Sequence, residues 1–240
     1  MRTELISWNQ FKSLSSEFAL RSVQTQGQVI FRGQGDSRWR LRTTLDRLCD
    51  RENISLRSDF LDELLMEFRR QSRGLSDVED SRDFREVDWL LLARHHGMPT
   101  SILDWTESPY VAAFFAMADE DRSVDGHVSV WALDRRGFAG RIPDVEFIED
   151  EQIGFWGVRA REQLAVFMQI NSEDVAIEDA IPDPNLVRFD LPVREANNAL
   201  ADLAQMRISA RSLFCDLDGA ARTSVQRVLM KGSHDGKSFS

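Results

Sequence analysis

Pro109-Tyr110-Val111-Ala112-Ala113-Phe114-Phe115-Ala116 is followed within eleven residues by His127-Val128-Ser129-Val130-Trp131-Ala132-Leu133. The first stretch leaves little polar face at helical spacing, so it reads as a central helix, with Ser108 ahead of it and Pro109 suited to the first turn. The second alternates as a sheet strand does. On the N-terminal side the pattern is mostly helical. Ser7 caps a first helix carrying Trp8, Phe11, Leu14 and Phe18 at spacings of three and four. Phe60, Leu61, Leu64, Leu65 and Phe68 form an apolar stripe within residues 58–74, ended by Gly74, and Trp89–Ala93 lies in a helix ended by Gly97 and Pro99. Val29-Ile30-Phe31 is a short buried strand. On the C-terminal side, 164–170 and 186–191 are further strands, 193–206 is a helix, and 217–230 is a closing helix.

Helices crowd the first half and strands the second, without regular βαβ alternation. The predicted fold is therefore α+β, a single domain with helices packed on a mixed or antiparallel sheet. The segments divide as an N-terminal helix at 1–24, a main domain at 25–230 and a flexible tail at 231–240.

The 240 residues hold 42% hydrophobic and 29% charged side chains, which fits a globule with a sizeable core and excludes a disordered chain. The longest mainly apolar run, 111–118, is far below the ~20 residues that a membrane span requires. The start Met1-Arg2-Thr3-Glu4 lacks a secretory h-region. Cys49 and Cys215 are isolated in apolar sequence and read as buried thiols in a reducing, cytoplasmic setting. Metal binding is not expected, because His95 and His96 are adjacent and point about 100° apart on a helix. Asp216-Leu217-Asp218-Gly219 has calcium-loop character, yet Arg227 stands where the bidentate glutamate belongs, so helix capping explains it better. A net charge of −10 argues against broad attraction to nucleic acid, although residues 1–75 are basic on balance.

Three segments carry chemistry. In Phe31-Arg32-Gly33-Gln34-Gly35 a strand-end guanidinium stands beside backbone that a ligand can approach closely, which suits a phosphate, pyrophosphate or carboxylate. A structural ion pair for Arg32 is the alternative. In residues 94–106, Asp104 lies between Leu103 and Trp105 and needs a cationic partner, with Arg32 and His95 the natural candidates. His95 at a helix C-terminus can serve as a general base, or it can pack against Trp105. In residues 159–167, Glu162 or Gln163 stands at a strand mouth, where catalytic and ribose-binding groups sit; a solvated strand edge is the alternative. Separately, Arg38-Trp39-Arg40-Leu41-Arg42, if extended, places three arginines on one face.

These segments in this order resemble the FRG domain, a family found mostly in bacteria and phages. The resemblance runs through Phe31-Arg32-Gly33-Gln34, Leu45 and Arg47, His95-x-Gly97-x-Pro99-Thr100, Leu103-Asp104-Trp105-Thr106 and Ala113-x-Phe115-Ala116. It continues through Arg159, Gln163 and Phe167 to Ser212-Leu213-Phe214 and Asp216–Gly219, covering roughly residues 25–225. The chain departs from the family pattern at Arg94, where Gln is usual, at Ser101, where Arg is usual, and at Ala165, where Gly is common. The motif order is also similar, more weakly, to ADP-ribosyltransferases of the Arg-Ser-Glu type. That similarity implies that Arg32 holds NAD phosphates and that Glu162 or Gln163 stabilises the ribosyl cation. The single tyrosine, Tyr110, does not fit the His-Tyr-Glu type.

Together these readings nominate His95, Asp104, Glu162 and Gln163 as catalytic candidates, and Arg32, Gly33, Gln34, Arg40, Arg42, Thr100, Trp105 and Arg159 as ligand contacts. The expected ligand is a nucleotide-like anion, with NAD the implied cofactor and NAD-dependent ADP-ribosyl transfer or NAD cleavage, in bacterial defence, the implied activity. Two rivals stand beside it. In one, Arg32, Arg38, Arg40 and Arg42 form a cationic face for nucleic acid or a phosphorylated partner, with Trp39 in the core. In the other, Arg32, His95 and Asp104 form a purely structural network.

Overall fold

Helix α5 (Pro109–Ala118) forms the helical centre of the protein and strand β4 (His127–Asp134) lies in the middle of its sheet. A computed structural model describes residues 2–24, 29–75, 78, 83–119, 125–135, 142, 145–148, 158–171, 177–181 and 185–234. Before α5 come β1 (Arg2–Leu5), α1 (Trp8–Gln24), β2 (Val29–Gln34), α2 (Thr44–Glu52), α3 (Arg57–Gln71), α4 (Glu86–His95) and β3 (Ile102–Thr106). After β4 come β5 (Val145–Ile148), α6 (Val158–Glu162), β6 (Ala165–Ile170), α7 (Ile177–Ala180), β7 (Leu186–Pro192), α8 (Ala196–Gln205), α9 (Ala210–Phe214) and α10 (Leu217–His234).

The strands form one seven-stranded mixed sheet in the order β1-β7-β4-β2-β3-β6-β5, giving an α+β fold. Among the described residues only the β1–β7 pair is parallel; the other pairs are antiparallel. One face buries Val29, Phe31, Val128, Val130 and Phe189 against apolar residues of α1, α5 and α8. The other buries Ile30, Trp131, Leu133 and Leu186 with Leu41, Ile177 and Ile181. Helices α3 and α4 add a smaller cluster over Ile102.

Helix α5 lies directly on β2 because both present small residues. A Cβ at Gly33 would fall 2.0 Å from the Ala112 carbonyl oxygen and 2.7 Å from the Ala116 nitrogen. Gly33 is thus a packing glycine on the side that meets α5. Ser108 caps α5 by accepting from the Val111 amide at 3.3 Å, with Pro109 in the first turn.

Several local expectations are corrected. Residues 38–42 are not a strand: they form a turn and an irregular segment, Leu41 is buried, and Trp39 is 38% exposed instead of in the core. Cys215 is exposed, in the left-handed conformation that ends α9, while Cys49 is buried. Strand β1 precedes α1, so the N-terminal segment joins the sheet edge as well as forming a helix. Residues 102–106, outside every element that the sequence pattern predicts, form a central strand, β3. Helix α10 reaches His234, and residues 235–240 of the tail lie outside the described residues. Among the described residues no helix is long and apolar enough to cross a membrane.

Candidate anion-binding cleft

Strands β2 and β3 touch through one ladder pair, Phe31 with Thr106, and are otherwise held by different neighbours, β4 and β6. Arg32 stands one residue past that pair, where the two strands are no longer bonded to each other. Its Nη1 donates across the gap to the Asp104 carbonyl oxygen at 2.5 Å. Its Nε is buried without a hydrogen-bond partner, and among the described residues it makes no ion pair. Burial pulls the guanidinium down to about 10; the charge of Asp104 opposes the shift, and Arg94 and Arg47 add to it. At neutral pH Arg32 stays cationic, with a donor unspent.

Arg32 lines a cleft of about 1450 Å³ between the sheet, the end of α4, α5, α6 and the α9–α10 pair. The Asp104 carboxylate lies in the same cleft and is bonded by Arg94 of α4, through Nη2 to Oδ2 and, at 3.4 Å, through Nε to Oδ1. Its sequence-level partners, Arg32 and His95, do not bond it: Arg32 reaches the Asp104 backbone instead. Burial would raise the Asp104 carboxyl, but the charge and hydrogen bond of Arg94, with the charges of Arg32 and Arg159, outweigh it and hold the group below the usual carboxylate range. The aspartate is therefore a fixed anion in a cationic surround.

Arg159 of α6 faces the cleft with its guanidinium carbon 4.2 Å from the Phe214 ring centre. Arg222 of α10 lies 5.3 Å from the same ring, and Phe115 meets it edge-on at 6.1 Å. Trp105 is buried, lines the cleft and leaves its indole Nε1 without a partner. His95 is exposed on the cleft wall, its ring packed edge-on against His96. Thus Arg32, Gly33, His95, Asp104, Trp105, Arg159 and Gln163 share one cleft.

Other nominated residues lie elsewhere. Gln34 is buried and spans from Trp131 Nε1, which donates to its Oε1 at 2.7 Å, to the Arg40 carbonyl. Thr100 is buried outside the cleft lining, its backbone bonded to Thr44 and Leu45. Glu162 is exposed at the end of α6 and does not line the cleft, because the chain turns through Leu164 (φ 47°) before β6 begins. Gln163 lines it, but its amide is drawn to the Leu213 carbonyl at 3.2 Å, joining α6 to α9. Arg40 is bonded to Glu178 at 2.6 Å and Asp179 at 2.5 Å, Arg42 to Asp50 at 2.8 Å, and Arg38 to Asp36 at 2.5 Å. These three arginines form no free cationic face, since neighbouring carboxylates already hold them.

Sequence reasoning missed Arg94, Phe115, Phe214 and Arg222 as cleft residues. Arg94 had a signal in its place next to His95, at a departure from the family pattern. The contact of Phe214 with Arg159 spans more than fifty residues, and no spacing reveals it.

Fold and cleft together define an α+β protein whose mixed sheet parts at its centre around an arginine-lined site. Residues 27–125 match the family model of the FRG domain, and the chain contains an FRG domain there. That segment supplies β2, β3 and helices α2–α5, while the strands flanking β2 and β3 and the residues Arg159, Phe214 and Arg222 come from beyond it. Neither a curated protein nor a solved structure matches the chain.

Proposed function

We propose that the cleft binds a nucleotide-like anionic ligand through Arg32. The observation that carries this reading is the Arg32 guanidinium itself: it is held in the cleft by a neutral carbonyl, makes no ion pair among the described residues although the Asp104 charge acts on it through space, and has its Nε unsatisfied. Leaving a buried charged donor unpaired is costly, and an incoming phosphate or carboxylate oxygen removes that cost. The aromatic rings of Phe115, Phe167 and Phe214 give the planar part of such a ligand apolar surface.

NAD falls within this ligand class. Its cleavage or ADP-ribosyl transfer needs a carboxylate facing the ribosyl cation, and among the nominated acids Asp104 is the one that lines the cleft; Glu162 does not. Asp104, kept ionised by Arg94, takes that role in this reading.

Titration calorimetry and thermal melting with NAD and ADP-ribose test the proposal. Binding that raises the melting temperature, and that is lost in Arg32→Ala, is expected. No binding of either nucleotide overturns it. Release of nicotinamide by the wild type and not by Asp104→Asn would extend the reading to catalysis, whereas binding without release leaves a nucleotide-binding module.

A further inference from the structure

We infer that the cleft contains a second anion-binding point, built by Arg159 on the ring of Phe214, so that the ligand it takes carries two anionic groups, as a diphosphate does. The inference rests on the nucleotide reading of the Arg32 cleft and deepens it.

Arg159 makes no ion pair and no side-chain hydrogen bond among the described residues; what holds it is the Phe214 face at 4.2 Å. A guanidinium lying on an aromatic face keeps its N–H donors directed outward in the ring plane, free to bind oxygen, while the stacking fixes its orientation. Phe214 is itself fixed by the edge of Phe115, and Gln163 ties α6 to α9 through the Leu213 carbonyl. The arginine is therefore preorganised without being neutralised. Asp216 and Asp104 act on it through space, but burial, with Arg222 and Arg94, outweighs them and pulls the guanidinium below its ordinary range. It remains charged at neutral pH.

Arg32 and Arg159 both feel the Asp104 carboxylate, which repels an anion placed directly on it. The cleft thus holds two positive points that this acid acts on without pairing to either, and both remain for two anionic groups. A single phosphate satisfies one arginine and leaves the other unpaired. Arg159 and Phe214 lie beyond residues 27–125, so this second point belongs to the part of the chain outside the matched FRG segment.

Calorimetry with AMP and ADP in magnesium-free buffer tests the inference. The wild type is expected to bind ADP about tenfold tighter than AMP or more. Arg159→Gln is expected to bring ADP down to the affinity of AMP while AMP itself changes by no more than about twofold, whereas Arg32→Ala weakens both. Equal affinities in the wild type, or equal losses for AMP and ADP in Arg159→Gln, overturn the second point and leave the Arg32 site standing. No binding of either nucleotide overturns both. Should Arg159→Gln fold poorly, Phe214→Leu removes the platform and keeps the charge; full retention of the ADP preference in that variant overturns the inference.

Discussion

Two groups of arginines lie within a short stretch of this chain and meet opposite fates. Arg38, Arg40 and Arg42 stand in an irregular segment after β2, and each is bonded to a carboxylate: Asp36, Glu178 and Asp50 respectively. Arg32, on β2 itself, has a backbone carbonyl and an unsatisfied Nε. The outer group is ion-paired and, among the described residues, the enclosed Arg32 is not, the reverse of what desolvation alone would arrange. A loop can bend until its charges find partners. A strand clamped between β4 and α5 cannot, so its guanidinium stays where the sheet places it. Rigidity, more than charge, marks the functional candidate.

Gly33→Ala attacks that rigidity and has the largest expected effect. Its new methyl would meet helix backbone, not a flexible side chain, so α5 must lift from β2. A loss of about 3 kcal/mol or more is expected in denaturant unfolding. A loss well under about 1 kcal/mol would show that β2 is not clamped. Arg32→Ala comes next, expected to weaken nucleotide binding about 100-fold while moving stability by no more than about 1 kcal/mol. The opposite pattern, large destabilisation with binding intact, would return Arg32 to a structural role.

The contrast between the two groups was half legible in the sequence. Phe31-Arg32-Gly33 could be read as a buried strand ending in a cation, because three apolar residues precede it. Residues 38–42 alternate well enough to imitate a strand, but Asp36 captures Arg38 from two residues away and turns the chain, and Glu178 captures Arg40 from 138 residues away, a tie that no local pattern shows. Asp104 was legible as a carboxylate in need of a partner. Its actual partner, Arg94, was hidden because the relative orientation of α4 and β3 depends on packing around Leu90, Ile102 and Phe167. Strand β3 was hidden for a related reason: five residues with a charge at the centre give no strand signature alone, and pairing with β6 makes them one.

Asp104→Asn sharpens the comparison from the anionic side. It leaves Arg94 and Arg32 without their shared counter-charge. Stability is expected to fall by about 1–2 kcal/mol, less than for a sealed pair because solvent reaches 39% of the Asp104 side chain. Anion affinity is expected to rise, since the acid that repels ligand is gone. The pH dependence has a definite sign. An unfolded aspartate titrates near pH ~3.9. Folded Asp104 titrates lower, so its contribution is complete above that value and is lost as pH falls through the lower folded one. Acid unfolding curves of the wild type and Asp104→Asn should therefore converge at low pH; curves that stay parallel would show that Arg94 does not stabilise the charged form.

Arg40→Ala has the smallest expected effect and is the control that gives the others meaning. Arg40 is 54% exposed, and solvent screens its pairs with Glu178 and Asp179. Its removal lowers stability slightly, because Glu178 is buried and loses the partner of one oxygen. Nucleotide affinity is expected to stay within about twofold of wild type, since a paired and screened charge outside the cleft adds little field there. A drop comparable to that of Arg32→Ala, growing as salt is lowered, would mean that the paired arginines exchange their carboxylates for ligand. The free guanidinium on β2 would then be one member of a larger cationic surface, and the distinction between clamped and adaptable arginines would fail.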